Sequence, residues 1–330
     1  MKPILAAATV LAALTTVPLA SSPAAAGEPT CRGQSATHVG IAGEDLTTTP
    51  GPDVVVTNGA RRVETGDGDD VVCVTRDAPH RVTVVPGAGD DLVDSRGYDG
   101  WGLRTYLGVL HETGSSGDDT YLGGDAPERV LVFSGRAEDH KVISGGGDED
   151  VLKIGSPYAG TVAADLGPGT DDYFANGLHE DVDVEGGPGR DFLLTDCPGC
   201  TSAGFDLGSG VLTVDGAAAG TATGFQSLSL FRRRLEELTV VGDAGFNSVT
   251  AVACTADVRG NGGGDVLVVH PAGSAVCATP SATIRGGHGN DLLKGTPGDD
   301  LLVGGPGTDS AYGEAGSDVC EAERRRGCEG

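Results

Sequence analysis

The stretch from Gly286 to Glu321 repeats one nine-residue unit four times without a gap. The four units read GGHGNDLLK, GTPGDDLLV, GGPGTDSAY and GEAGSDVCE. Glycine holds the first and fourth places of each unit, aspartate holds the sixth, and mostly apolar residues follow. A repeat this short and strict predicts a solenoid, in which every unit builds the same piece of one continuous stack.

The residue type at each place predicts a tight turn followed by a short strand. Glycine permits backbone angles that other residues avoid, so the chain can curl tightly and turn its carbonyls toward one point. The last three places suit a short strand whose middle side chain (Leu293, Leu302 or Ala311) faces inward. Two units make one coil, so alternate units stack about 4.8 Å apart.

The stacking brings aspartates of neighbouring coils together. Asp291 falls one layer from Asp309, and Asp300 falls one layer from Asp318, so their like charges repel unless a cation lies between them. Ca²⁺ takes about six to eight oxygen ligands at roughly 2.3–2.6 Å in flexible geometry, whereas Mg²⁺ is stricter and keeps its water. The sequence therefore predicts calcium ions as the cofactor.

The unit resembles the nonapeptide of the RTX (repeat-in-toxin, hemolysin-type) calcium-binding family, GGxGxDxUx with U a large apolar residue. This resemblance implies an all-β fold, a right-handed parallel β-roll or β-helix solenoid, with calcium bound in the turns by backbone carbonyls and sixth-place aspartates. Carried over residue by residue, it implies these metal-site residues: Gly286, Gly289, Asp291, Gly295, Gly298, Asp300, Gly304, Gly307, Asp309 and Asp318.

Looser copies of the unit extend through most of the chain. Their sixth places add further candidate metal ligands, which are Asp53, Asp70, Asp91, Asp119, Asp171, Asp191 and Asp265. Asn247 replaces the carboxylate in one copy, and the copies around Glu128 and Asp150 match more poorly. Several steps between copies, such as Asp70 to Asp91, do not equal one 18-residue coil. An ordinary Asp-Gly turn remains the alternative for each isolated copy.

Four segments are expected. Residues 1–26 read as a signal peptide, because a short charged start precedes an apolar run and an Ala-Ala-Ala end. Residues 27–200 are expected to form a degenerate β-roll, and residues 261–330 contain the strict repeats with a disulfide cap. Between them, residues 201–260 are poor in aspartate, and we expect coils that keep the stack without the ion.

The export signal predicts an extracellular location, and all eight cysteines follow it. An even number of cysteines in an oxidising compartment predicts disulfides. Their order suggests Cys31–Cys73, Cys197–Cys200, Cys254–Cys277 and Cys320–Cys328, although order alone leaves the pairing open. Half a zinc site or a redox pair is the alternative for Cys197 and Cys200. No later stretch is apolar enough to predict a membrane span.

A formal net charge of −26 argues against nucleic acid as a partner, because phosphate binding depends on cationic side chains. The same charge predicts that the metal-free chain repels itself, so that calcium binding is coupled to folding. Extracellular calcium modules bind at about 0.1–1 mM, a concentration that is met outside cells.

The sequence contains no HExxH pair, nucleophile elbow or phosphate-binding loop. We therefore expect a protein without enzymatic activity that is structural or adhesive at a cell surface or matrix, whose partner the sequence does not identify. The alternative is a calcium-dependent, polysaccharide-acting enzyme on a parallel β-helix, with the basic cluster Arg232, Arg233 and Arg234 at its substrate site.

Overall fold

The computed structural model describes residues 28–75, 81–100, 103–107, 117–133, 137–155, 158–178, 181–231, 235–272 and 277–329. The predicted signal peptide (1–26) and the cluster Arg232–Arg234 lie outside the described residues. The enzymatic alternative, which depends on that cluster, therefore stays a hypothesis. Within the described ranges the chain forms strands and turns only, and no helix there could cross a membrane.

The strands of the first half are β1 (Thr30–Cys31), β2 (Gln34–Ser35), β3 (His38–Val39), β4 (Asp45–Thr47), β5 (Val54–Val56), β6 (Arg62–Glu64), β7 (Val71–Cys73), β8 (Thr83–Val85), β9 (Leu92–Asp94), β10 (Leu103–Leu107), β11 (Asp119–Leu122), β12 (Glu128–Val132), β13 (His140–Ser144), β14 (Val151–Ile154), β15 (Thr161–Asp165) and β16 (Asp172–Asn176). Those of the second half are β17 (Val182–Glu185), β18 (Asp191–Asp196), β19 (Ser202–Asp206), β20 (Val211–Val214), β21 (Ala217–Thr223), β22 (Phe225–Leu230), β23 (Glu237–Val241), β24 (Ser248–Ala253), β25 (Thr255–Gly262), β26 (Val266–Pro271), β27 (Ser281–His288), β28 (Leu292–Lys294), β29 (Leu301–Val303), β30 (Ser310–Tyr312), β31 (Val319–Glu321) and β32 (Arg324–Arg326).

Successive strands alternate between two long sheets, as a solenoid of two-strand coils requires. The even sheet contains 14 strands, the even-numbered ones from β4 to β32 except β20. The odd sheet contains 16 strands, the odd-numbered ones from β3 to β31 together with β20. Apart from the antiparallel insert β19–β21, neighbouring strands in both sheets are parallel. The predicted all-β parallel solenoid is therefore confirmed.

The nine-residue period sets the register in the strict repeats. Leu292 pairs with Ser310, and Leu301 pairs with Val319, so two units make one coil. Alternation along each strand turns the eighth-place side chains inward, and Leu293, Leu302 and Ala311 are buried as predicted. The same inward column continues through the chain as a thin core of mostly Val, Leu, Ile and Ala.

All four disulfides suggested by the cysteine order are present. Because Cys197 and Cys200 are bonded to each other, neither offers a thiolate to zinc. The Cys320–Cys328 bond joins β31 to the chain that follows β32. β32 pairs with β30 and ends the even sheet with three exposed arginines.

The first part of the aspartate-poor segment differs from the simple coils expected there. β20 runs antiparallel to both β19 and β21 within the odd sheet, and these three strands lie between β17 and β23. Asp215 and Gly216 link β20 to β21 with φ of 50° and 80°, as a two-residue hairpin turn requires. The Asp-Gly pair between VLTV and AAAG was the sequence signal of this hairpin.

Candidate calcium sites

Each coil has two turns, and we name them by the sheet that they enter. Turns on the odd edge lead into strands of the odd sheet, and turns on the even edge lead into strands of the even sheet. The sixth-place aspartate lies at the end of its turn, two residues before the inward eighth place, so strand alternation turns it inward as well. All eleven predicted aspartates are buried. They are Asp53, Asp70, Asp91, Asp119, Asp171, Asp191, Asp265, Asp291, Asp300, Asp309 and Asp318.

Buried aspartates of neighbouring coils form hydrogen-bonded ladders. The Asp291 amide donates to Asp309 Oδ1 at 2.8 Å, and the Asp300 amide donates to Asp318 Oδ1 at 2.9 Å. The Asp265 amide donates to Asp291 Oδ1 at 2.8 Å in the same way. Each carboxylate therefore uses one oxygen to hold the coil before it.

The degenerate repeats form the same ladders although their spacing varies. On the odd edge, one ladder joins Asp53, Asp70, Asp91 and Asp119 with donor–acceptor distances of 2.8, 3.0 and 3.2 Å. Its steps are 17, 21 and 28 residues long. Copies that are out of phase in the sequence therefore still stack.

Glu128 and Asp150, whose copies of the repeat match poorly in the sequence, both belong to a ladder. On the even edge, the amides of Glu128, Asp150 and Asp171 donate to Asp150, Asp171 and Asp191 at 2.9, 2.7 and 2.9 Å. The ladder ends at Gln226, whose Oε1 accepts the Asp191 amide at 2.8 Å. The GGGDED and GGDAPE turns were the weak signals of these two members.

The carboxylate ladder changes from the odd edge to the even edge along the chain. In register with the odd-edge ladder, the residues after Asp119 are Lys141, Val162 and Val182. The even-edge ladder begins at Glu128, which pairs with the apolar Leu103 of the coil before it. Among the described residues, aspartate ladders lie on both edges only in the last coils, with Asp291 and Asp309 on the even edge and Asp300 and Asp318 on the odd edge.

The second oxygen of most ladder carboxylates has no hydrogen-bond partner although it is buried. This holds for the Oδ2 atoms of Asp70, Asp91, Asp150, Asp171, Asp191, Asp265, Asp291, Asp309 and Asp318. A buried charged oxygen without a partner is costly, so each of these atoms fits a cation in the turn. Among the described residues no three His, Cys, Asp or Glu side chains come together, so carbonyls must complete any metal site.

Among the aspartate turns, the backbone at the second place decides whether that oxygen is free. At Glu128 the Gly124 amide donates to Oε1 at 3.1 Å and Oε2 still has no partner. In all nine turns the second-place residue has a positive φ. We call these the open turns, and their second-place residues are Gly66, Gly87, Gly146, Gly167, Gly187, Asn261, Gly287, Gly305 and Glu314. Glycine adopts this conformation without strain, whereas Asn261 and Glu314 adopt it despite a side chain.

In three other turns the amide of the second-place residue donates to the sixth-place side chain of the same turn, and we call these turns closed. The Thr296 amide donates to Asp300 Oδ2 at 2.7 Å, and the Thr49 amide donates to Asp53 Oδ2 at 3.1 Å. The Asp243 amide donates to Asn247 Oδ1 at 2.8 Å. None of these second-place residues has a positive φ. The threonine in the TPG turn thus satisfies the oxygen that the open turns leave free.

The predicted first- and fourth-place glycines are needed for close contacts more than for unusual angles. A β-carbon at Gly286, Gly295 or Gly304 would lie 2.1–2.3 Å from Oδ2 of the aspartate in the same unit. A β-carbon at Gly289, Gly298 or Gly307 would lie 1.4–1.8 Å from a carbonyl oxygen of the preceding coil. The expectation that the first place needs a special backbone angle was therefore wrong, because only the second and part of the fourth places have positive φ.

Burial raises the pKa of several ladder carboxyls. It raises the pKa of Asp91 and of Asp150 to about 8, with a further contribution from neighbouring carboxylates in each ladder. It raises the pKa of Asp171 and of Asp265 to about 6 for the same reasons. The charged forms of these groups are thus disfavoured without a compensating cation, which is the electrostatic property expected of a metal site.

Residues 285–320 match the family model of the RTX calcium-binding nonapeptide repeat in four copies. The predicted resemblance is therefore confirmed for this segment, and Ca²⁺ is the ion of such repeats. No curated protein matches the chain. Among solved structures, a hyperactive, Ca²⁺-dependent, β-helical antifreeze protein from an Antarctic bacterium is 17% identical over 86% of this chain and 83% of that chain. Its TM-score of 0.28 is too low to carry an argument.

Proposed function

We propose that this protein is a secreted calcium-binding protein whose solenoid is held compact by Ca²⁺ in its open turns. One observation carries the proposal, namely the buried, unpartnered second carboxylate oxygen of each open turn. The proposed ligands are the sixth-place aspartates of those turns together with the carbonyls of their glycine-rich backbone. Among the strict repeats, these aspartates are Asp291, Asp309 and Asp318.

The chain's own residues prepare each turn for a cation. Hydrogen bonds from the preceding coil fix one carboxylate oxygen, and the close packing at the first-place glycine holds the other inside the turn. The sheets hold neighbouring turns in register. A bound Ca²⁺ supplies positive charge that compensates the buried carboxylates.

Calcium binding and folding are coupled in this proposal. In the unfolded chain the carboxylates are hydrated and separated, whereas folding buries them in columns. Without metal, each open turn places an unpartnered charge or a proton in a buried position. An ion that binds only the folded turns therefore contributes its binding free energy to folding.

We further propose a structural or adhesive role outside the cell. The predicted signal peptide and the four disulfides support an extracellular location. Calcium at extracellular concentrations would keep the solenoid folded there. The partner on a cell surface or in a matrix stays open.

Circular dichroism and calorimetry on the mature protein, stripped of metal with a chelator, test the proposal. Added Ca²⁺ is expected to increase β content and to release or absorb heat with a saturable stoichiometry. Mg²⁺ at the same concentration is the control and is expected to have a much smaller effect. Unchanged β content together with no calcium-dependent heat would refute the proposal.

A further inference from the structure

Lys141 is a buried cation inside the solenoid. Among the described residues, it is the one lysine, arginine or histidine whose side chain is buried, with 2% of the side chain exposed. It lies in β13, in register with Asp119 of β11 on the neighbouring coil. A buried lysine is rare unless it is paired, so its contacts require an explanation.

The ammonium group of Lys141 contacts the two kinds of oxygen that an open turn offers to a metal. Its Nζ lies 2.8 Å from Asp119 Oδ2 and donates to the carbonyl of Gly117 at 2.5 Å. Asp119 Oδ1 accepts the Asp91 amide at 3.2 Å, as in every other ladder step. Gly117 is the fourth-place glycine of the Asp119 turn.

The open turns of the same ladder have no such contact. Asp70 and Asp91 hold their Oδ1 atoms in the same way, yet their Oδ2 atoms have no partner. Asp119 is also the last acid of this ladder, because the in-register residues after it are Lys141 and then Val162. On the next coil the ladder position is held by Lys141 instead of a carboxylate, and the buried Asp139 of that coil accepts the Gly117 amide at 3.3 Å through Oδ1.

We propose that the Lys141 ammonium takes the place of Ca²⁺ at Asp119 and so ends the odd-edge ladder without metal. Within a ladder one divalent ion compensates two stacked carboxylates, whereas the Lys141 ammonium compensates Asp119, the last carboxylate in this register. The Asp119 carboxylate is therefore compensated before calcium binds. Removing the lysine charge frees Asp119 Oδ2 and the Gly117 carbonyl and creates an additional calcium site. This inference rests on the proposed function, since it requires calcium in the other turns.

The test compares Lys141→Met with the wild-type protein. Met retains the length and the apolar stem of lysine but removes its charge. Lys141→Met is expected to bind one more Ca²⁺ per molecule by calorimetry, and to lose thermal stability in chelator but recover it in Ca²⁺. Lys153→Met is the control, because Lys153 lies half-buried in β14, outside the turns, and its replacement is expected to leave the ion count unchanged.

A second variant keeps the test decisive if Lys141→Met does not fold in chelator. Asp119→Asn/Lys141→Met removes both charges, so it is expected to fold without metal and to bind as many ions as the wild type. An equal loss of stability for Lys141→Met in chelator and in Ca²⁺, with no added ion, would mean an ordinary ion pair and would overturn the inference. An added ion in the double variant would overturn it too. A wild-type protein that binds no Ca²⁺ would instead refute the proposed function.

Discussion

Replacing Asp291 with asparagine isolates the effect of one unpartnered oxygen. Asp291 Oδ1 accepts the Asp265 amide at 2.8 Å, and Asp291 Oδ2 has no partner. Asparagine can keep the accepting oxygen and replaces only the free, charged one with an amide group. Asn247 occupies the equivalent place at the start of the same ladder, where its backbone amide donates to Asp265 and its buried Nδ2 has no partner. The coil therefore accommodates an asparagine whose amide group is unpartnered, as Asp291 Oδ2 is.

The expected magnitude depends on the metal. Burial, with a contribution from Asp309, raises the pKa of Asp291, so neutralising Asp291 should not lower stability in chelator. With free Ca²⁺ at about 100 times its Kd, each bound ion contributes about 2.7 kcal/mol to the free energy of unfolding. Asp291→Asn should therefore lose about 2.7 kcal/mol for each ion that Asp291 ligates, in calcium only.

Asp300→Asn is the matched control in the other ladder of the same repeats. Thr296 donates its amide to Asp300 Oδ2 at 2.7 Å, so an asparagine amide group there would face another donor. An unsatisfied buried donor costs about 1–3 kcal/mol, and this cost does not depend on metal. Asp300→Asn should consequently lose similar stability in chelator and in calcium.

Urea unfolding of both variants in chelator and in saturating Ca²⁺, followed by circular dichroism, measures these differences. Calcium titration by calorimetry then counts the ions that each variant binds. The reasoning fails if Asp291→Asn loses as much stability in chelator as in calcium. It also fails if Asp300→Asn reduces the ion count more than Asp291→Asn does.

Three further predictions test the turn, the charge and the packing. Thr296→Gly permits the positive φ of the open turns and should therefore add one bound Ca²⁺ per molecule. It should also lower the metal-free free energy of unfolding by about 1–2 kcal/mol, because the hydrogen bonds to Asp300 are lost. A calorimetric ion count equal to that of the wild type would contradict this prediction. The raised pKa of Asp91 and of Asp150, about 8 against 3.8, means that metal-free stability is greatest at low pH and falls as the pH rises from about 4 to 8. A melting temperature in chelator that is higher at pH 8 than at pH 5 would disprove this. Gly304→Ala places a β-carbon 2.3 Å from Asp309 Oδ2, so we expect about 1–3 kcal/mol less stability and one ion fewer by calcium titration.

The nine-residue periodicity of the sequence predicted the parallel solenoid correctly. A strict nine-residue unit repeats the same turn and the same strand, so two units must stack on the next two, and the observed register is 18 residues. Alternation along a strand puts the sixth and eighth places on one face, which is why Asp291 and Leu293 are both buried. These relations are local, and a sequence pattern therefore determines them.

Which turns leave a carboxylate oxygen free depends on contacts between coils and on backbone angles, and no local sequence pattern contains them. Asp70 and Asp91 stack across 21 residues, a contact that the 18-residue period of the strict repeats does not predict. The difference between the open turn of Asp291 and the closed turn of Asp300 is a backbone angle at the second place, set by glycine in one and threonine in the other.

The sequence by itself determined the coil, its core and the ion, because a short period imposes one repeated geometry. Only the tertiary structure decided which carboxylates remain without a partner and where Lys141 meets Asp119 on the neighbouring coil. The physical reason is that the charge balance of a buried turn depends on the coils above and below it. Those coils are joined to the turn through loops of unequal length, so their contacts are fixed by the whole stack.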